Sequence, residues 1–361
     1  MFKYFKWSFI ILFIGLACAF FKGDSLAESF NFLLSAIAII ILELSLSFDN
    51  AVVNAIKLKN MSQIWRRRFL TWGIVIAVFG MRFVFPLLIV SVFAGISMYE
   101  VLLLALKDPD KYAHHLHESH YGIASFGSMF LLMLFLGFMF EQGKKIHWLT
   151  YPEKLLEFIG KIPFAKEIIA FILLGILQIY LLPEQRTVSM IAGSVGIFLH
   201  FGIEFLASKF EEKADVMQST AKAGFVSFMY LEIIDASFSL DGALGAFALS
   251  KDVVIITIGL TVGAIFVRSL TIMLVERNTL EKFPFLQHGA YWAVGALSMI
   301  MLYSAVEEIS EIYTAGLSVL FILASVVSSV IYGKSQKINI GDKRSLGDKF
   351  KKFFKRNKKQ S

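Results

Sequence analysis

Five carboxylates stand inside long apolar runs: Glu43 and Asp49 within residues 30–56, and Glu232, Asp235 and Asp241 within residues 221–249. A carboxylate at the bilayer centre costs about 2.5–3.5 kcal/mol on insertion scales, so acids retained there face a bundle interior or a water-filled cavity. Asn50 and serines including Ser47 and Ser239 lie beside them, and with backbone carbonyls they form an all-oxygen donor set. Such a set suits hard divalent cations of the magnesium, calcium and manganese type and gives little hold on zinc or copper. With the ion absent the acids repel, and Arg82 and Arg268, each inside an apolar run, are the available counter-charge or gating groups. The plainer alternative is a static set of interhelical ion pairs, which leaves Asn50 and the serines without a role. Along a straight helix six residues turn about 600°, which puts Glu43 and Asp49 on different faces. A break at Ser47-Phe48-Asp49-Asn50 brings both to one point and frees carbonyls as further ligands. The same holds for Asp235 and Asp241, where Gly242 helps the chain bend.

The elements that carry these residues are membrane helices. Of 361 residues, 57% are hydrophobic and 17% charged, and the mean hydropathy is +0.69, outside the soluble range. Runs of spanning length occur at about 7–21, 30–56, 69–94, 121–140, 167–182, 187–206, 221–249, 253–275, 288–306 and 312–332. The expected architecture is an all-α, polytopic bundle of nine or ten transmembrane helices, with 30–56 and 221–249 broken at the acids. The run at 7–21 is retained as a first helix, with a signal peptide as the alternative, because no clear small-x-small site follows it. The single Cys18 excludes a disulfide framework and a cysteine-based metal site.

Charge supplies an orientation. Twenty-eight Lys and Arg fall on one set of alternating loops and five on the other, with Arg82 and Arg268 inside spans, which places both termini in the cytoplasm of a cell-membrane protein. The net charge of +7 resides in the tail 333–361, where 11 bases face Asp342 and Asp348 for a net +9; the remainder sums to −2. The tail ends in lysines interleaved with phenylalanines, a pattern suited to an anionic membrane leaflet rather than to nucleic acid.

The chain repeats itself. Glu43-Leu-Ser-Leu-Ser-Phe-Asp49-Asn50-Ala51 aligns with Asp235-Ala-Ser-Phe-Ser-Leu-Asp241-Gly242-Ala243, and each copy is followed by a glycine nine residues before an arginine: Gly73 before Arg82, Gly259 before Arg268. Under the charge-derived orientation the copies run in opposite senses, the pattern of secondary transporters whose site lies where inverted repeats meet. The expected organisation is an N-terminal helix and connector (1–29), a first repeat (30–140), a cytoplasmic linker with linking helices (141–220), a second repeat (221–332) and the basic tail (333–361).

"SFDNA" at 47–51 with "SLDGA" at 239–243, each followed by an arginine-bearing helix, resembles the TerC superfamily of integral membrane proteins. The stretches from Phe85 to Phe138 and from 231 to 249 resemble its uncharacterised branch, a domain of unknown function, and the likeness covers about 30–332. The resemblance implies manganese export or a part in tellurium resistance, with the motif acids as metal ligands. It nominates Asp49, Asn50 and Asp241, with Glu43 and Asp235 beside them. Gly242 departs from the ligand expected opposite Asn50, so the second half-site is one ligand weaker or uses Ser239 or a carbonyl.

His114, His117 and His120 share one helical face of an outer segment by their spacing of three, a possible metal or pH site beside the plainer reading of a solvated connector. His200 with Glu204, and His288, are minor proton-relay candidates. No ATP-binding motif and no cofactor motif is present, so the expectation is a gradient-driven exporter of a divalent cation, not an enzyme. The alternative is a membrane accessory or scaffold protein for metal stress whose acids are structural.

Overall fold

The computed structural model describes residues 2–59, 61–211, 224–235, 249–250, 252–277, 279–307 and 316–333, with single positions 242, 246, 309 and 313. Ser239, Asp241 and the basic tail from 334 lie outside the described residues, as does the side chain of Arg82. Among the described residues every regular element is a helix: α1 (Phe2–Phe21), α2 (Leu26–Leu46), α3 (Phe48–Lys59), α4 (Gln63–Val75), a π-helical stretch (Ile76–Val84), α5 (Phe85–Ala94), α6 (Met98–Lys107), α7 (Pro109–Glu118), α8 (His120–Met139), α9 (Thr150–Ile159), α10 (Ala165–Tyr180), α11 (Pro183–Glu211), α12 (224–235), α13 (Val253–Glu276), α14 (Thr279–Lys282), α15 (Leu286–Ser304) and α16 (Gly316–Gly333). Among them, six helices are long and apolar enough to cross a membrane. Their outward faces carry Trp7, Phe13, Ile41, Phe198 and Leu320, all more than half exposed, which water would not tolerate and lipid accepts. The protein is an all-α, polytopic membrane helix bundle.

Two packing centres organise it. The helix α8 is the hub of the first, with 89% of its apolar window buried inside the protein, and packs against α11 and α15. In the second, α13 packs against α1, α2 and α3. The short helix α3 touches both α13 and α15, so the first motif sits where the two centres meet.

The runs at 30–56 and 69–94 are interrupted, and each interruption has a local cause. The first divides at Ser47 (φ −100°, ψ 12°). The second changes from α to π geometry at Ile76 and back at Phe85. Pro86 stands in the first turn of α5, and having no N–H it cannot complete the α ladder into the preceding turn, which favours a shifted register there. The matching helix of the second half, α13, has no such proline and runs unbroken for 24 residues.

The two glycines picked out by the repeat are contact points between the halves. A Cβ at Gly259 would lie 2.6 Å from Ile39 of α2, and one at Gly73 would lie 2.7 Å from Glu232 Oε1 of α12. Each half's glycine therefore receives a side chain from the other half's motif helix, at corresponding places in the repeat.

The segment between α5 and α8 is ordered rather than a loose connector. Ser97 and Glu100 form a reciprocal capping box that starts α6. Val101, Ala105 and Tyr112 then pack with Leu87, Val90 and Ile123 into a small separate core.

Candidate metal centre

The site begins at the break between α2 and α3. The Ser47 hydroxyl donates to Glu43 Oε1 at 3.0 Å while its N–H bonds the Glu43 carbonyl at 2.9 Å, the local competition by which serine ends a helix. The Ala51 N–H still reaches the Ser47 carbonyl at 3.1 Å. Between these two bonds the i→i+4 ladder is open for three residues, although only Ser47 itself leaves the helical assignment. Among the described residues the carbonyls of Leu44, Ser45 and Leu46 receive no backbone N–H across the break, and the Asn50 N–H that would continue the ladder turns to the Asp49 carboxylate instead, so the break frees carbonyls as expected.

Asp49 lies fully buried in the first turn of α3, where the helix dipole favours an anion. Its Oδ1 accepts the Asn50 N–H at 2.9 Å, and its Oδ2 accepts the Ser318 hydroxyl of α16 at 3.3 Å. The Asn50 side-chain amide donates to Asp235 Oδ1 at 2.6 Å, tying the first motif to the second across 185 residues. One turn on, Asn54 Nδ2 donates to Asn50 Oδ1 at 2.8 Å. Asn54 is only 3% exposed, yet its Oδ1 has no hydrogen-bond partner among the described residues.

Glu43 rests on α13 and on the second motif. A Cβ at Gly263 would meet Glu43 Cγ at 2.5 Å, and a Cβ at Gly242 would meet Glu43 Oε2 at 2.7 Å. This accounts for glycine where the repeat has Asn50: the space a side chain would occupy is filled by the carboxylate of the opposite half. At Gly242 the carboxylate of the first motif therefore lies directly against the backbone of the second.

The described acids do not collapse onto one point. Among the described residues, no three carboxylate or imidazole ligand atoms of this centre come within 4.8 Å of one another, so Glu43, Asp49 and Asp235 flank a chain of amides instead. Arg268 donates to the Gly73 carbonyl at 2.6 Å, and its guanidinium carbon stands over the Phe69 ring, 3.9 Å from the centroid. Glu232 approaches the same glycine, so this base and acid meet beside α4.

The histidines separate. The helix α7 ends at Glu118, and Ser119 turns the chain, so the face expected to hold three histidines is broken before the third. His120 Nε2 bonds the Ser304 carbonyl at 3.0 Å, whereas His114 and His115 gather on Glu118. The His117 side chain lies outside the described residues. His200 lies 3.5 Å from the Tyr230 hydroxyl, and its Nδ1 stands 3.9 Å from Oε2 of its candidate partner Glu204, which is also paired with Lys166.

His288 proves to be an anchor. Its Nδ1 lies 2.9 Å from Oε2 of Glu153, a fully buried residue of the linker helix α9 that also takes Trp292 Nε1 at 3.1 Å and the N–H groups of Trp148 and Leu149 at 3.1 and 3.2 Å. Burial works to raise the Glu153 carboxyl, but bonds from His288, Leu149 and Trp292 outweigh it and hold the group below its usual 4.5. Nearby, Glu157 is likewise held low, first by its bond to His147 at 2.7 Å and then by the Gly143 N–H.

Sequence reasoning missed Asn54, Ser318 and Glu153. Asn54 was within reach, since four residues from Asn50 is one helical turn. Ser318 and Glu153 carry no local signal, because each acquires its meaning from a partner more than 130 residues away.

Residues 48–336 match the family model described as a protein of unknown function (DUF475), about four-fifths of the chain. The chain belongs to this family. No curated protein and no solved structure matches it. The DUF475 span takes in Asp49, Asn50, Asn54, Asp235 and Ser318, along with α7 and the Glu153 anchor, and begins after Glu43.

Proposed function

We propose that this DUF475 protein is a transporter of a hard divalent cation, with manganese export as the specific reading and the TerC superfamily as its wider kinship. In this reading it sits in the cell membrane with both termini cytoplasmic. The ion passes between two inverted repeats, driven by an ion gradient, and the basic tail lies against the anionic leaflet. The observation that carries the reading is the buried line Asp49–Asn50–Asn54 with Asp235, ending in an amide oxygen that nothing among the described residues uses. A buried acceptor without a donor costs about 1–3 kcal/mol. At the end of a hydrogen-bonded line that holds two carboxylates, an oxygen left without a donor suits a cation ligand better than it suits packing. The cargo would exchange the Asn50–Asp235 hydrogen bond for metal–oxygen bonds, with Glu43 and Asp241 as further ligands, Ser239 as an auxiliary oxygen, and Arg268 and Arg82 compensating charge in the empty state.

The rival is an accessory or scaffold protein whose acids serve packing, and the bonds of Asp49 to Ser318 and of Glu43 to Ser47 are what favour it. Manganese flux decides between them. Vesicles reconstituted with wild type should release loaded manganese, while Asp49→Ala and Asn54→Ala, inserted in equal amount, should release it at least ten-fold more slowly. Equal retention in wild-type and protein-free vesicles would remove the transporter reading.

A further inference from the structure

At the end of α7, away from the buried centre, two imidazoles converge on one carboxylate. His114 Nδ1 lies 3.4 Å and His115 Nδ1 3.3 Å from the same atom, Glu118 Oε2, and the three ligand atoms all fall within 4.8 Å of one another. A charge-assisted hydrogen bond between imidazolium and carboxylate settles at about 2.7–2.9 Å. Donors held tetrahedrally at about 2.0–2.1 Å from an ion stand about 3.3 Å apart. The observed separations match the edge of a coordination tetrahedron and are long for direct hydrogen bonds.

Local structure fixes this arrangement. Glu118 follows His114 by four residues and His115 by three, so both rings reach it on the helix surface. The Ser119 hydroxyl and N–H both bond the His115 carbonyl, at 2.7 and 3.1 Å, which pins the last turn under the rings. His115 also borders an open cavity of about 410 Å³ between α6 and α7, lined by leucines together with Glu100, Lys107 and Asp108. The cavity leaves room for an ion and its waters beside His115. Lys111 is paired with Asp108 at 3.2 Å.

We infer that His114, His115 and Glu118 form a binding site for a late divalent transition ion such as zinc or cobalt, with water in the open position. Two imidazole nitrogens and one carboxylate are a donor set that binds zinc well and manganese, magnesium or calcium poorly. The site therefore selects a different class of ion from the buried centre, and it stands whether or not the transport reading does.

The test is cobalt and zinc binding to the full-length protein in detergent, read by the visible spectrum of cobalt and by equilibrium dialysis. Wild type should bind one cobalt ion with the intense bands of a tetrahedral complex. His114→Ala and His115→Ala should each weaken binding at least ten-fold, the double variant should lose the ion, and zinc should bind at least a hundred-fold tighter than manganese. These side chains are partly or largely exposed, so an unchanged melting temperature confirms that the variants are folded. Unchanged binding in the double variant would overturn the inference. So would loss of the ion in His117→Ala with retention in His114→Ala, or equal affinity for zinc and manganese.

Discussion

Glu153 and Asp49 are both fully buried carboxylates, and their surroundings are opposite. Glu153 collects four N–H donors, two from backbone and two from the rings of His288 and Trp292, so each of its oxygens is doubly engaged. Asp49 takes one backbone N–H and one hydroxyl bond at 3.3 Å, no base pairs with it among the described residues, and an amide oxygen without a donor lies one turn beyond its neighbour Asn50. A buried charge is stable where its lone pairs are filled, and its removal then leaves several donors orphaned. A buried charge with thin solvation is what an ion-exchanging site requires, because ligands already committed to strong bonds cannot be given to a passing cation. Glu153 clamps the linker helix to α15, whereas Asp49 is thinly bonded, as the proposed cation site needs.

The comparison can be broken most directly with alanine at both positions. Glu153→Ala strands His288, Trp292 and two backbone donors and should cost about 3–5 kcal/mol, read as a large fall in melting temperature and poor recovery from the membrane. Asp49→Ala removes a desolvated charge and leaves only one hydroxyl and one N–H unpaired, so its melting temperature should move far less while manganese flux falls. If Asp49→Ala destabilises the protein as much as Glu153→Ala, the two carboxylates have the same role and the distinction is lost. A gentler contrast is Glu153→Gln, which keeps one acceptor oxygen but turns an amide donor toward existing donors. It should cost about 2 kcal/mol and leave flux per folded molecule unchanged.

What the sequence made legible follows from how local each signal is. Apolar runs, mid-run acids and the repeat are patterns within one segment, and the helix bundle and the break at Ser47 follow from them. The histidine face failed for an equally local reason: Ser119 turns the chain before His120, and the spacing of three hid the adjacent pair His114 and His115. At Gly242 the sequence states only that space is needed, and the Glu43 carboxylate that takes the space comes from the other repeat. The Glu153 clamp and Ser318 were invisible for the same reason, since a buried acid in a polar linker looks like any solvated glutamate until its partners are in place.

Acidity sharpens the comparison further. The bonds to Glu153 hold its carboxyl below the usual 4.5. A carboxylate depressed on folding contributes stability that is fully present above its unfolded value and is lost as pH falls through its folded value. The melting temperature should therefore be insensitive to this group above about pH 5 and should decline below about pH 4.5, with the decline shallower in Glu153→Gln. A wild-type profile that the glutamine variant follows in parallel would show that the clamp does not depend on the charge.

The smallest expected effect is steric and falls on the other side of the comparison. A Cβ at Gly263 would press on Glu43 Cγ at 2.5 Å, and the carboxylate above it faces Gly242, so the side chain has little room to retreat without leaving the second motif. Overpacking of this kind costs about 1–3 kcal/mol. Gly259→Ala meets Ile39 of the same helix at 2.6 Å and should cost a similar amount of stability, but it touches no carboxylate. Gly263→Ala should consequently slow manganese flux more than Gly259→Ala does at matched melting temperature. Equal flux in the two variants would make Glu43 a packing residue and confine the cation site to Asp49, Asn50, Asn54 and the second motif.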